Sequence, residues 1–192
     1  MLNDTRVFEA NSQGGEPFGD LPEWDLSDLY ASEDAAELQA DLTWLKQSCN
    51  DFSDNYDGKL AQLTADEMLK AVERYEAIDI IAGRIMSFAG LRYYQLTTDP
   101  ERAKFMSDMQ DKLTEHTTKL VFYGLEFNRL DEEALSKLLS QNTALARYKP
   151  VFDRMRAMKP YQLSDEMERF LHDQSVVGAT AWNRLFDETI AS

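Results

Sequence analysis

Residues 64–96 read TADEMLKAVERYEAIDIIAGRIMSFAGLRYYQL and carry the longest helical pattern of the chain. Thr64 and Glu67 have the spacing of a capping box, in which each side chain accepts from the backbone N–H of the other residue. Apolar residues then recur at steps of three and four, the period of one helix face. They are Met68, Ala71, Tyr75, Ile78, Ala82, Ile85, Ala89, Tyr93 and Leu96. Such a helix would be on the order of 50 Å long and needs other helices packed along it.

Two further long helices are predicted on either side of this stretch. One covers about residues 33–54 with Ser32 as its N-cap, and the other covers about 100–128 with the Asp99–Pro100 pair at its start. Short connections between long helices favour antiparallel neighbours, so residues 33–128 are predicted to form a three-helix antiparallel layer. The predicted buried stripes are Ala35, Leu38, Leu42, Leu45, Cys49 and Phe52 on the first helix, and Met106, Met109, Leu113, His116, Leu120, Tyr123 and Phe127 on the other.

Several shorter helices are predicted after residue 128, and no convincing strand pattern occurs anywhere in the chain. They are a helix over 131–141 that Asp131 caps, one between Pro150 and Pro160, one that Ser164 caps, and a last one over about 176–190. The last helix is predicted to bury Ala181, Trp182, Leu185 and Phe186. The predicted fold class is therefore all-α: long antiparallel helical hairpins of three long helices, followed by several shorter helices.

The beginning of the chain is predicted to be irregular. Residues 1–20 are polar and rich in glycine, which predicts a flexible lead-in. The segment LPEWDLSDLY, residues 21–30, combines turn-forming and acidic residues with large apolar ones, so we expect it to lie across the surface of the domain, pinned by Trp24. Residues 21–192 are predicted to form one all-α domain, a size that one core can support.

Charge and cysteine content exclude several classes of function. The chain has 192 residues and a net charge of −15, and residues 1–60 alone carry 14 acidic and 3 basic side chains. Such a surface repels phosphate groups, so neither nucleic acid nor an anionic membrane is a predicted partner. The single cysteine, Cys49, excludes an intramolecular disulfide, and we expect it to pack as a small apolar residue. No signal peptide or membrane-spanning run is recognised, so a cytoplasmic location is expected.

The sequence predicts no catalytic and no metal-binding residue in this chain. His116 lies on the apolar stripe of the third helix, where a core histidine is the favoured interpretation over a metal ligand. Glu168 and His172 are four residues apart and could meet on one helix face, but two groups do not make a metal site. Neither histidine follows a glutamate by three residues, which excludes the four-helix di-iron class.

Aromatic residues supply the only candidates for a binding site. Arg92, Tyr93 and Tyr94 near the end of the central helix could line a cleft that holds a peptide, together with Tyr148 and Tyr161 from the proline-bounded region. Core and rim packing is the alternative interpretation for the same tyrosines, and the sequence leaves both open.

Four segments of the chain resemble the N-terminal helical region of oligoendopeptidase F, a family of thimet-oligopeptidase-like zinc peptidases. The segments are LPEWDLSDLY, RYEAIDIIAGRIMSFAGLRYYQLTTDPE, LARYKPVFDRMR and LSDEMERFLHDQSVVGATAWNRLFDETI. The resemblance extends over about residues 21–190. It implies a cytoplasmic, mostly helical enzyme, roughly three times longer than this chain, that cleaves short peptides inside a deep channel.

In that family a His-Glu-x-x-His helix and a further glutamate hold the catalytic zinc, which activates a water molecule. This chain has only His116 and His172, and neither is followed by the required glutamate. The resemblance thus implies that zinc is bound outside this segment and that the 192-residue segment is inactive alone. It implies a wall of the substrate channel that contacts the catalytic domain of the same chain and short peptide substrates. The alternative is a non-catalytic helical adaptor that binds a partner helix or peptide in a groove between its own helices.

Overall fold

The structure is a computed structural model, and it describes residues 25–191. Every regular element among these residues is helical, as the sequence predicts for an all-α protein. The α-helices are α1 (Ala36–Tyr56), α2 (Ala65–Gln95), α3 (Pro100–Thr117), α4 (Val121–Arg129), α5 (Glu132–Gln141), α6 (Thr143–Ala146), α7 (Lys149–Ala157), α8 (Asp165–Gln174) and α9 (Ala179–Ala191). Short 3-10 turns cover Leu60–Gln62, Thr118–Leu120 and Lys159–Tyr161.

The core forms where α1, α2, α3 and α4 meet. All six residues of the predicted α1 stripe are buried, and Cys49 is fully buried among them. On α2 most of the predicted stripe is buried, and Val72 and Phe88 are buried in addition. Leu96 was predicted to continue this stripe, but it is 50% exposed because the helix ends at Gln95 and the backbone turns away.

The capping box at the start of α2 is confirmed. The Thr64 hydroxyl accepts from the Glu67 backbone N–H at 3.3 Å, and the Glu67 carboxylate accepts from the Thr64 N–H at 2.8 Å. This contact lowers the pKa of Glu67, since the bonded form is the carboxylate.

Three arginines of α2 bind groups on α1 and just before it. The pairs are Arg92 with Glu33 at 3.3 Å, Arg84 with Asp41 at 3.2 Å, and Arg74 with Ser48 at 2.9 Å. From the first pair to the last, the residue number falls along α2 and rises toward and along α1. The two helices therefore run in opposite directions along this contact.

The predicted third helix is interrupted rather than continuous. It divides into α3, the 3-10 turn over Thr118–Leu120, and α4. The hydroxyls of Thr117 and Thr118 donate to the carbonyls of Leu113 and Thr114 at 2.8 and 2.7 Å. Hydroxyl bonds to the carbonyl four residues earlier bend helices, which explains the break at this place.

Two of the predicted helix starts are wrong in detail. Ser32 does not cap α1: its carbonyl accepts from the Ala35 N–H at 3.2 Å in a preceding turn, and the helix begins at Ala36. Asp131 occupies the N-cap position of α5 but its side chain makes no capping hydrogen bond. The caps predicted at Asp99 and Ser164 are confirmed.

The strip that precedes α1 is tied to both α1 and α2. The Arg84 guanidinium donates to the Leu29 carbonyl at 3.0 Å, and the Tyr30 hydroxyl donates to the Asp41 carboxylate at 2.7 Å. The predictions for residues 1–20 and for Trp24 fall outside the described residues. Over residues 25–191, none of the helices combines the length and the apolar character needed to cross a membrane.

Candidate functional site

Helix α8 contacts the body of the protein through polar side chains. The Arg129 guanidinium on α4 pairs with the Asp165 carboxylate, with one N–O distance of 3.1 Å, and this lowers the pKa of Asp165. The His172 ring lies 3.1 Å from the Thr117 hydroxyl, and the Thr118 hydroxyl lies 2.6 Å from an Asp173 carboxylate oxygen, which competes with the Thr114 carbonyl for its one hydrogen. Three polar contacts therefore fix which face of α8 is turned inward.

The opposite face of α8 is apolar and open to solvent. Met167, Phe170 and Leu171 are spaced as one helix face, and about half of each residue is exposed. In globular proteins the apolar face normally turns to the core and the polar face to water. Helix α8 has the reverse orientation.

Helix α9 is oriented in the same way. Arg184, Asp187 and Glu188 are half-buried, whereas the apolar residues of this helix point outward. The prediction that α9 buries Trp182, Leu185 and Phe186 is wrong: they are 70%, 51% and 63% exposed, and Ala181 alone of the four is half-buried. The physical reason is that no other apolar surface among residues 25–191 covers this side of α9.

We call the outward residues of these two helices and their flanks the outer apolar face. Its members are Leu163, Met167, Phe170, Leu171, Val177, Trp182, Leu185, Phe186 and Ile190. Each of these residues is at least 46% exposed. Large apolar side chains exposed in such number are typical of surfaces that contact another protein.

The three candidate residues at the end of α2 lie in different environments. Arg92 pairs with Glu33 and also donates to Gln95 at 3.0 Å, and it lines a polar pocket of about 470 Å³. Tyr93 is only 2% exposed, and its buried hydroxyl has no hydrogen-bond partner. Burial raises the pKa of Tyr93, with Glu188 and Asp187 of α9 adding to it. Tyr94 is 61% exposed, and its ring lies 5.3 Å from the ring of Tyr93.

The two other tyrosine candidates are also separated. The Tyr148 hydroxyl donates to the Glu76 carboxylate at 2.7 Å, which joins the start of α7 to α2. Tyr161 is 74% exposed and lies beside α4 and α8, in a groove that also contains Met158. Tyr161, Met158 and Leu163 thus share one groove, whereas Arg92 lines a pocket with Tyr30 and Phe88.

The histidines do not come together. His116 was predicted to lie in the core, but it is only half-buried. This burial lowers the pKa of its imidazole. His172 binds Thr117, while the Glu168 carboxylate accepts from the Leu163 N–H at 2.9 Å. The Glu168–His172 contact considered from the sequence is therefore not formed. Within residues 25–191, no cluster of three histidine, cysteine or acidic side chains has the geometry to hold a metal ion.

Sequence reasoning missed the outer apolar face because helical periodicity reports which residues share a face, not which way that face turns. A usable signal was present in the polar residues of α8. Asp165, His172 and Asp173 have spacings that place them near one side of the helix. Partners for all three come from α3, the following turn and α4.

The C-terminal third of the chain matches a known peptidase family. The family model for the N-terminal region of M3 peptidases, described as Oligopeptidase F, matches residues 126–192. This segment contains α5 to α9 and the last four residues of α4, so it includes the whole outer apolar face. The match confirms the resemblance to the N-terminal region of the oligoendopeptidase F family.

Two curated relatives agree with the family match. The chain is 24% identical over 155 residues to "Oligoendopeptidase F, plasmid" of Lactococcus lactis subsp. cremoris, which covers 79% of this chain and 25% of the relative. It is 24% identical over 148 residues to "Oligoendopeptidase F homolog" of Lactococcus lactis subsp. lactis (strain IL1403), which covers 77% of this chain and 24% of the relative. The chain thus matches about a quarter of the length of these relatives. No solved structure matches it significantly.

Proposed function

We propose that residues 21–192 are the N-terminal domain of a zinc-dependent oligoendopeptidase that hydrolyses short peptides. The outer apolar face of α8 and α9 is the observation that carries this proposal. Exposing this many apolar side chains to water is unfavourable, and another protein surface that covers them removes this cost. In a longer polypeptide the catalytic domain of the same chain would supply that cover.

The matches with known proteins support the same arrangement. The family match begins at residue 126, and the exposed apolar residues of α8 and α9 all lie inside it. The curated relatives are about four times longer than the matched part. A domain of that remaining length could bury the outer apolar face and hold the reaction centre.

The role of this domain in the enzyme would be mechanical. Long helices in antiparallel hairpins over residues 33–128 would form one rigid wall of a channel that admits flexible peptides and excludes folded proteins. The ties from α2 to α1 and to the preceding strip, through Arg84 and Arg92, would keep that wall stiff. A cytoplasmic location is part of the same proposal.

Zinc would be bound outside this segment. The residues present do not fit a zinc site, since His172 is bonded to Thr117 and His116 lies half-buried on a different helix. Zinc sites with protein ligands need three or four such groups around one point. We therefore assign no step of peptide hydrolysis to residues of this segment, and we propose that the segment alone is inactive.

Two experiments test the proposal: sequencing of the reading frame beyond codon 192, and an assay of peptidase activity. We expect a His-Glu-x-x-His motif downstream, zinc-dependent cleavage of a fluorogenic peptide by the whole polypeptide, and no cleavage by the purified 192-residue chain. Cleavage by the 192-residue chain would refute its proposed inactivity. A whole polypeptide without the motif and without activity would refute the peptidase and favour the helical adaptor.

A further inference from the structure

Acidic side chains border the outer apolar face along α8. Glu166 lies four residues before Phe170, Asp173 lies three residues after it, and both acids are exposed. Glu168 lies three residues before Leu171 and is half-buried. Residues three or four apart are neighbours on a helix surface, so these carboxylates lie along the two edges of the apolar strip of α8.

Helix α9 has the same arrangement. Asp187 lies three residues before Ile190, and Glu188 lies three residues after Leu185. The two acids are half-buried, whereas Ile190 and Leu185 are 68% and 51% exposed. Carboxylates therefore border the apolar strips of both helices on both sides.

The basic residues of these helices do not neutralise this border. Residues 163–190 contain six acidic and only two basic side chains. Arg169 pairs with Asp57 of the turn after α1, and Arg184 pairs with Glu188, each at 3.7 Å. Four of the acids have no basic partner within residues 25–191, and we call them the acidic rim: Glu166, Glu168, Asp173 and Asp187.

We propose that the surface of the catalytic domain that covers the outer apolar face has an apolar centre and a rim of lysine and arginine residues. This inference rests on the proposed function. Acidic groups on the covering surface would place like charges opposite each other and oppose association. Basic groups at the same places would pair with the acidic rim and fix the orientation in which the two surfaces meet.

The same charges disfavour a second copy of this chain as the cover. In a two-fold dimer through this face the same patch meets itself, so one acidic rim would lie against the other. Sedimentation velocity at low salt, about 25 mM, where such repulsion is least screened, should show no association of the 192-residue chain through this face. A dimer that dissociates in the Phe186→Ser variant would overturn the proposal.

The main experiment compares two helical probe peptides that have the same leucine face, one flanked by lysine and the other by glutamate. Each probe stands in for the covering surface, and fluorescence anisotropy measures its binding to the 192-residue chain. The lysine-flanked probe should bind about tenfold more tightly at low salt, and this advantage should shrink at high salt because exposed ion pairs are screened. Equal binding of the two probes would overturn the proposal.

Charge reversal at one position separates the acidic rim from the general acidity of the chain. Glu166→Lys should weaken binding of the lysine-flanked probe about threefold to tenfold. Glu37→Lys is the matched control, because Glu37 is also an exposed acid in the first turn of its helix. Both substitutions place a cation near a helix N-terminus and have the same effect on the helix dipole. Equal weakening by the two substitutions would show attraction to the whole chain and would overturn the proposal.

The same two variants test the docked state in the whole polypeptide. Glu166→Lys would put a cation opposite the basic rim, so labelling of Phe170 by a photoreactive carbene should rise severalfold over the wild type. Glu37→Lys should be labelled like the wild type. Wild-type labelling of Phe170 in Glu166→Lys would contradict the basic rim.

The outcomes separate this inference from the proposed function. If the whole polypeptide cleaves peptides and the two probes bind equally, the basic rim is wrong while the peptidase stands. If the lysine-flanked probe binds at the acidic rim but the whole polypeptide lacks the zinc motif and the activity, the proposed function fails. The assignment of the covering surface to a catalytic domain then fails with it.

Discussion

The imidazole of His172 lies 3.1 Å from the hydroxyl of Thr117, and this contact joins α8 to the end of α3. It fixes the polar side of α8 against the body of the protein. Met167, Phe170 and Leu171 lie on the opposite side of the helix and therefore face outward. The exposed apolar residues of α8 thus follow from specific polar contacts and not from a loosely placed helix.

Thr117→Val should loosen α8. The variant loses the contact with His172 and the hydroxyl bond to the Leu113 carbonyl, so the free energy of unfolding should fall by about 1 kcal/mol, with faster amide exchange in α8. Thr43→Val is the matched control, since the Thr43 hydroxyl donates only to the Gln39 carbonyl in its own helix. If both variants behave alike, the contact does not anchor α8.

Phe186→Ala should leave the stability of the 192-residue chain nearly unchanged. Phe186 is 63% exposed, so we expect a change within about 0.5 kcal/mol and weaker binding of an apolar dye. Phe152→Ala, the same substitution at a residue 1% exposed, should cost about 3–5 kcal/mol because it leaves a cavity. Chemical denaturation measures both variants. A loss above about 2 kcal/mol for Phe186→Ala would show that its ring is packed in the chain alone.

Arg84→Met should release the strip that precedes α1. It removes the donors to the Leu29 carbonyl and to Asp41, and the cation above the Tyr30 ring. Because the guanidinium is partly exposed, we expect a loss of about 1–2 kcal/mol in urea denaturation. Arg154→Met, at an exposed position, is the control and should change little. Equal values for the two variants would exclude a tether at Arg84.

Cys49 should be protected from alkylation until the protein unfolds. Burial raises the pKa of its thiol to about 11, so almost no thiolate is present at pH 8. The unfolded thiol ionises near its usual pKa, about 8.5, so its contribution to stability is complete below that pH and is lost as the pH rises toward 11. Iodoacetamide labelling with and without urea measures the difference. Rapid labelling of the native chain at pH 8 would contradict the buried position.

The long elements were predictable because their evidence is local. The capping box at Thr64, the proline after Asp99 and the regular stripe of α1 depend only on residues near them in the chain, and the structure keeps all three. The break after Thr117 was missed since apolar periodicity continues through it. The competing signal came from two threonine hydroxyls that bond back to their own helix.

The orientation of the last two helices was not predictable from periodicity. Trp182 and Phe186 have the spacing of core residues. That spacing predicts burial only if the chain buries all of its apolar helix faces.

Covalent footprinting with a photoreactive carbene probe tests the central claim most directly. The probe would be applied to the 192-residue chain and to the whole polypeptide that contains it, with labelling of Phe170, Trp182 and Phe186 read by mass spectrometry. If the outer apolar face docks on the rest of the enzyme, the three residues will be labelled in the 192-residue chain and protected severalfold in the whole polypeptide, while exposed Ile80 on α2 is labelled equally in both. Equal labelling of all four residues in the two proteins would contradict the account.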